Sequence, residues 1–389
     1  MKLRSWRRRF LPACAISLLA GSCAASTPAL ALVDSADAAQ WEAALKDAGW
    51  RVITAGAPDN PDARVEALAA AVEKAVQEGI DPAQVYLAGR GAGTAAVFYA
   101  ISRVPDLWAA AVAIDGSPQP AVETGRLFTG NFAAVPLLWA SRTAGDQATA
   151  ANLKNLGMNL EWRPAADLSD RAVLAWLAQH RREPFPAQID CETNTPAFAR
   201  CYWIQLTRFD PGERNDMLGS TRLESASRAA LALGGFGFHA EEAGPGVLVA
   251  QLPAGYAGPL KVGDRIVELE GRTIGNAHAY IEMMSKYTED KPVVAMVQRG
   301  KQRMRVETRV VIPQREAVVT ARVQARFVPE DREIQITSRT VTEMRITIPP
   351  AWATECKLFW NGLALEKIER PGCLLLREEK ELLHAEPCP

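Results

Sequence analysis

Between Ala38 and His180 short apolar runs alternate with longer amphipathic ones, and that alternation leaves the chain few ways to fold. Helical spacing covers Ala38 to Ala48, Asp62 to Gln77, Thr94 to Ser102, Gln147 to Leu156 and Ser169 to His180. Among them lie strand-like runs at Arg51 to Thr54, Gln84 to Ala88, Ala109 to Ile114, Pro136 to Ala140 and Asn159 to Trp162. Strands so short and so apolar are buried on both faces, which predicts a parallel sheet covered by helices on either side. One junction is unusual. Val85-Tyr86-Leu87-Ala88 runs into Gly89-Arg90-Gly91-Ala92-Gly93 and then directly into a helix. Glycines at alternate positions there predict a sharp turn that needs a left-handed backbone or a close approach of two chains.

That strand, turn and helix resemble the nucleophile elbow G-x-S-x-G of α/β-hydrolases, with Gly91 in the serine's place. The run Gly79-Ile80-Asp81-Pro82-Ala83-Gln84-Val85-Tyr86-Leu87-Ala88-Gly89-Arg90, followed by Pro105-Asp106-Leu107-Trp108-Ala109-Ala110, resembles exported esterases and peptidase-like α/β-hydrolases of the prolyl-oligopeptidase type. The resemblance implies a Ser at position 91, an acid after a later strand and a His before the last helix. Asp146 stands in the acid's place. The loop Pro164-Ala165-Ala166-Asp167-Leu168 has no histidine, and His180 falls at the far end of the helix as a surface helix-terminus residue. With nucleophile and base both missing, residues 34–184 read as a degenerate α/β-hydrolase-like domain. Gly89, Gly91 and Gly93 are then the remnant of its elbow, and no residue is catalytic. The residues ahead of Ala38 leave little room for early strands or for a loop donating to an oxyanion. Two other readings stay open on sequence. Gly91-Ala92-Gly93-Thr94-Ala95-Ala96 also fits G-x-G-x-x-A, with Asp115 ending the next strand as a dinucleotide site would want, and Ser117 is the nearest spare hydroxyl.

Residues 230–313 carry a second resemblance. Gly235-Phe236-Gly237-Phe238 and the run Leu260-Lys261-Val262-Gly263-Asp264-Arg265-Ile266-Val267-Glu268-Leu269-Glu270-Gly271 resemble the G-Φ-G-Φ loop and the L-x-x-G-D-x-I-x-x-x-x-G signature of PDZ domains, which are partly open β-barrels with helices. The resemblance implies a peptide-binding site. Backbone N–H groups of Gly235 to Phe238 would hold a terminal carboxylate, and the strand from Phe238 would accept the peptide as an added strand. The helix from Asn276 to Ser285 would flank the groove, with Phe238, Ile281 and Met284 lining an apolar pocket and His278 near the helix start selecting a ligand hydroxyl. Simple core packing is the competing role for each.

Strand-like segments at Gln188 to Cys191 and Ala199 to Leu206 precede that region, and others from Ala317 to Ile368 follow it, with Asn361-Gly362 as a hairpin turn. Tyr202-Trp203 resembles the strand that follows the catalytic domain in the same exported hydrolases. Residues 185–229 and 314–380 are therefore expected to form one β-rich, sandwich-like domain interrupted by the PDZ domain, with three domains in simple series as the alternative. The fold class expected is multidomain: an α/β parallel-sheet hydrolase-like domain, a PDZ domain and a β-rich sandwich.

The N-terminus is basic from Lys2 to Arg9 and apolar from Phe10 to Ala20, which reads as a signal peptide over 1–22. Arg7-Arg8-Arg9-Phe10-Leu11 weakly resembles a twin-arginine signal. Leu19-Ala20-Gly21-Ser22-Cys23 resembles a lipobox in which Cys23 is acylated and followed by a short tether, whereas Ala29-Leu30-Ala31 would suit ordinary signal peptidase. A lipid on Cys23 would supply the membrane contact of an outer-membrane lipoprotein on the periplasmic side of a bacterial envelope. Export implies an oxidising space, and Cys191 with Cys201 and Cys356 with Cys373 flank hairpins that suggest two disulfides, leaving Cys388 free. The cysteines are too scattered for a zinc site, and neither metal nor cofactor is expected. With 44 Lys and Arg against 45 Asp and Glu and no basic stripe, nucleic acid is a poor partner. These readings favour a non-catalytic envelope protein that binds a protein or peptide with a free apolar C-terminus. A hydrolase with a non-standard site and a structural subunit of an envelope assembly are the alternatives.

Overall fold

The computed structural model describes residues 27–388, apart from 57, 144, 213–216, 224–228, 240–241, 254, 313–317, 354–355, 369 and 380–381. The expected leader and Cys23 lie outside the described residues. The first unit alternates strand and helix: β1 (Thr27–Leu32), α1 (Ala38–Ala48), β2 (Arg51–Thr54), α2 (Pro61–Gln77), β3 (Ile80–Arg90), α3 (Gly93–Arg103), β4 (Ala110–Ile114), α4 (Gln119–Glu123), β5 (Leu137–Ser141), α5 (Asp146–Asn155), β6 (Leu160–Pro164) and α6 (Asp170–Leu177). Its strands lie in the order β2-β1-β3-β4-β5-β6, all neighbours parallel. Each face of the sheet buries its own apolar layer. One contains Val65, Leu68, Val97, Phe98 and Trp139, and the other Trp41, Leu45, Tyr86, Val112 and Leu174. Helix ends follow local chemistry. Asn60 Oδ1 accepts from Ala63 N–H ahead of Pro61, Ser169 Oγ accepts from Ala172 N–H, and Gly49 closes α1 at φ +69°.

The sheet corrects the reading of the N-terminus. Strand β1 lies between β2 and β3, and Ala29, Leu30 and Ala31 are wholly buried. The unit therefore begins at Thr27 rather than at residue 34. Cleavage after Ala31 would remove a strand paired on both sides. A tether from Cys23 would also end before Thr27.

The second unit begins with β7 (Gln188–Thr193), β8 (Arg200–Cys201) and β9 (Ile204–Phe209). The chain then leaves it for a third sheet. That sheet is built from β10 (Ala230–Leu231), β11 (Val247–Leu248), β12 (Arg265–Leu269), β13 (Arg272–Thr273), β14 (Lys291–Arg299) and β15 (Gln302–Val311), with α7 (Ala277–Ser285) packed on it. It returns to the second unit with β16 (Ala321–Val328), β17 (Glu333–Arg339), β18 (Val341–Ile348), β19 (Cys356–Trp360), β20 (Leu363–Ile368), β21 (Gly372–Glu379) and β22 (Leu382–Pro387). Two five-stranded sheets result, β20-β19-β17-β16-β7 and β22-β21-β18-β9-β8, enclosing Trp203, Val323, Ile336, Ile346 and Trp360. Asn361 and Gly362, at φ +49° and +88°, make the tight β19–β20 turn.

Cys191 is bonded to Cys201, as expected, but the second pairing is corrected: Cys373 is bonded to Cys388. Cys356 sits in β19 of one sheet and Cys373 in β21 of the other, whereas the β21–β22 hairpin brings Cys388 N–H onto Cys373 O at 3.1 Å. Cys356 is a buried free thiol, and burial pushes its pKa up.

Glu192 ties these units together. Its carboxylate is 2% exposed and accepts from Ser220 Oγ at 2.6 Å, Thr221 N–H at 2.6 Å, Thr221 Oγ1 at 2.7 Å and Thr320 Oγ1. Ser220 and Thr221 lie on the path into the third sheet, and Thr320 on the path out. The Glu192 backbone meanwhile exchanges bonds with the Asn131 amide at 2.7 and 2.9 Å, which fixes it to the first unit. Arg103, 1% exposed, spans the same junction, reaching Asp62 at 3.2 Å and Asn194 at 2.8 Å and stacking 4.3 Å over the Phe198 ring.

Candidate functional site

In the order 2-1-3-4-5-6 the strand sequence reverses between β1 and β3, and ligands of open α/β sheets bind beyond the strand ends at such a point. The glycine turn stands there. Gly91 has φ +51°, a backbone that side chains adopt only with strain, and its N–H donates to Ile114 O at 2.8 Å. A Cβ at Gly89 would fall 2.6 Å from Val33 Cγ2, and one at Gly93 would fall 3.1 Å from the same atom, so both glycines serve close packing. At Gly91 an added Cβ would meet nothing within 4 Å. The turn thus presents its apex to open space, where a nucleophile would stand, and the residue there has no side chain.

The remaining parts of a triad do not converge on it. Asp146 opens α5 and accepts from Ser141 Oγ, which itself accepts from Thr143 N–H at 3.0 Å; the carboxylate holds its own loop. His180 lies at the opposite end of the sheet, where its carbonyl accepts from Tyr86 Oη at 2.9 Å. Tyr86 precedes Gly91 by five residues of β3, a separation of about 16 Å at ~3.3 Å per residue. His180 is half-buried rather than a surface residue, with its ring 4.5 Å from that of Trp176, and burial lowers its pKa. The stretch Pro164 to Leu168 is a short turn with Ala165 buried. Beside the apex Arg90 pairs with Asp170, lies 4.5 Å over Trp41 and donates its N–H to Asp37 Oδ2 at 3.2 Å. Burial is the main cause raising the Asp37 pKa. An ion pair therefore joins the elbow to α6, an element of the site that sequence reading missed because Arg90 and Asp170 are 80 residues apart.

The two open readings lose their geometry. Ser117 Oγ accepts from Gln119 N–H at 3.1 Å in the turn leading into α4. A Cβ at Gly116 would fall 1.9 Å from Gly91 O, so the loop after β4 lies on the glycine turn where a pyrophosphate would need to approach. Asp115, at φ +53°, pairs with Arg142 at 3.3 Å.

In the third sheet Gly237 bridges Gln251, its N–H donating to Gln251 O at 2.8 Å while Ala250 N–H donates back to Gly237 O at 2.8 Å. This is an isolated antiparallel bridge, made three residues beyond the end of β11. Gly234 and Gly235, at φ +80° and +77°, turn the chain into it. Asn276 Oδ1 caps α7 through Ala279 N–H at 2.9 Å, and the helix buries Ala277, Tyr280 and Met284. Phe236 and Phe238 are half-buried, 6.0 Å apart, and the Phe238 ring meets Tyr280 edge-on at 5.6 Å. Of the residues expected around the groove, Phe238 and Met284 join this cluster, Ile281 is half-buried and His278 is exposed in the first turn. Tyr280 was missed, although its spacing from Ala277 and Met284 marks it as the same helix face. Because Gly237 N–H is committed to Gln251, it is not among the donors left for a carboxylate. The Gly263-Asp264 turn is held together by its own acid. Buried Asp264 accepts from Lys261 N–H at 2.7 Å and from both arms of Arg299 at 2.7 and 2.8 Å.

Among the described residues no cluster of His, Cys, Asp or Glu could hold a metal ion, and no helix is long and apolar enough to cross a membrane. No family model matches the chain, and no curated protein matches it. Solved structures give partial likenesses. SOBER1 of Arabidopsis thaliana is 16% identical with TM-score 0.32, covering 40% of this chain and 99% of that one. Esterase PE8 is 14% identical with TM-score 0.29, covering 40% of this chain and 91% of that one. A phospholipase/carboxylesterase from Dyadobacter fermentans is 17% identical with TM-score 0.27, covering 39% and 88%. Scores this low carry no argument about activity.

Proposed function

We propose that this is a non-catalytic protein of the bacterial cell envelope, in which an α/β-hydrolase-derived scaffold carries a PDZ domain that binds the free C-terminus of a protein or peptide. The observation that carries the reading is the segment Phe236–Phe238, bridged at Gly237 to Gln251 and set against Tyr280 of α7. Beside that bridge the segment would offer main-chain groups to an added strand, and the aromatic cluster an apolar socket to its last side chain. Phe236, Phe238, Ile281 and Met284 would form that socket with Tyr280, and the carboxylate would rest on the N–H groups of Gly235, Phe236 and Phe238. The bare apex at Gly91, with no histidine beside it among the described residues, supports the non-catalytic half of the reading. A lipid on Cys23 would anchor the protein without cutting into β1.

Calorimetric titration with peptides ending in Val, Leu or Phe, free and C-terminally amidated, tests this. Loss of a charge-assisted bond worth about 1.5–3 kcal/mol predicts a roughly 10- to 150-fold weaker amidated peptide. Equal affinity would mean that the carboxylate is not read. Absence of binding by every peptide would favour the reading as a structural subunit, with the aromatic cluster as plain core.

A further inference from the structure

A cavity of about 170 Å³ lies beside the glycine turn, between α2, α3 and α4. It exists because of small side chains. Ala92, Ala95 and Ala96 face it from the start of α3, Val65 and Leu68 from α2, and Ala121 from α4. Positions 92, 95, 96 and 99 share one helix face, where larger residues would ordinarily interlock with the neighbouring helix and leave little void. The polar groups nearby are turned away to partners of their own. Tyr99 Oη donates to Asp62 at 2.6 Å, and Asp62 also receives Arg126 at 2.6 Å and Arg103 at 3.2 Å. Thr124 Oγ1 donates to Ala121 O at 2.6 Å, and the Arg64 guanidinium donates twice to Pro58 O, at 3.0 and 3.1 Å. The lining that remains exposed is mainly apolar, with Asp59 and Arg64 on its polar side, and the space opens to solvent. A pocket of this size has room for an apolar guest of about benzene's volume.

We infer that this cavity is a binding site for a small, mainly apolar molecule, the size of one aromatic ring or a six-carbon chain. The site is independent of the proposed peptide groove, which lies in another sheet, so either can fail without the other. Its test uses the whole folded protein with benzene, indole and hexanol as probes, read by saturation-transfer NMR and by thermal shift. Saturable binding and a raised Tm are expected for at least one probe. Ala96→Leu should occupy the space, weaken that probe at least about ten-fold by the affinity arithmetic and leave the circular dichroism unchanged. Should Ala96→Leu fail to fold, Ala121→Leu closes the cavity from α4 and takes its place. No saturable binding of any probe to the wild type, or equal binding to the filled variant, would overturn the inference.

Discussion

Replacing Glu192 should loosen the third sheet from both of its neighbours at once. In Glu192→Ala the Thr221 N–H and the hydroxyls of Ser220, Thr221 and Thr320 lose a common acceptor. A stranded half-buried amide costs up to about 1–3 kcal/mol, while the hydroxyls rotate and recover part of their bonding. Relief of the buried carboxylate's desolvation offsets some of the rest. The net loss should be about 2–4 kcal/mol. Glu192→Gln keeps the shape and an acceptor for Thr221 while turning its amide to the Ser220 and Thr320 hydroxyls, which rotate to receive it. Only the charge assistance disappears, about 1–2 kcal/mol. Urea unfolding measures the loss, and limited proteolysis locates it. Cleavage should rise around 217–223 and 318–320 in the Ala variant before the sheets themselves are cut. An Ala variant within about 0.5 kcal/mol of wild type, with unchanged cleavage there, would refute the clamp.

Gly91→Ser should give no turnover of a chromogenic ester, because neither Asp146 nor His180 faces the apex; measurable hydrolysis by that variant would restore the enzymatic reading. Cys191→Ser should cost about 2–5 kcal/mol, and peptide mapping without reductant should recover 191–201 and 373–388 with Cys356 alkylated only after unfolding. Arg299 holds the Asp264 carboxyl below its ordinary value. Its contribution is therefore complete above the unfolded pKa of about 3.9 and is lost as pH falls through the lower folded value. Asp264→Asn should remove that acid dependence from unfolding followed at the third sheet; an unchanged pH profile would disconnect the pair from stability. Truncation through Ala31 should abolish folding of the first unit, whereas truncation through residue 22 should not, by circular dichroism and solubility.

Regular elements were legible where pattern and burial agree. The five strands expected from Arg51 to Trp162 all occur, because an apolar run between amphipathic helices has one natural destination in a parallel sheet. β1 was not legible, for a physical reason. A strand buried on both faces needs a run of apolar residues, and Ala29-Leu30-Ala31 meets that need with the same letters that a signal peptidase recognises. Its placement beside β3 depends on a pairing with Val85 to Ala88 more than fifty residues away, which no local pattern encodes. The disulfides show the same limit. Cys191 and Cys201 are close in sequence, and their bond joins the two sheets through β7 and β8, whereas choosing between Cys356 and Cys388 for Cys373 required knowing that β21 and β22 form a hairpin.

The elbow separates what a motif records from what a site needs. Gly89 and Gly93 are fixed by packing on Val33, and the turn would need them whatever stood between. Position 91 is under no such constraint, since its apex faces open space; an Ala or Ser there would bear only the strain of φ +51°. Two features can therefore part company. The backbone of this turn is set by its role in joining β3 to α3 and seating the loop after β4, whereas a nucleophile turn's chemistry would depend on one side chain and a histidine from elsewhere. The ion pair of Arg90 with Asp170 acts in the same sense. It links the turn to the start of α6, so packing and an ion pair order the strand ends there. If the proposed binding role holds, the shape of this unit needs only that packing and those ion pairs to persist.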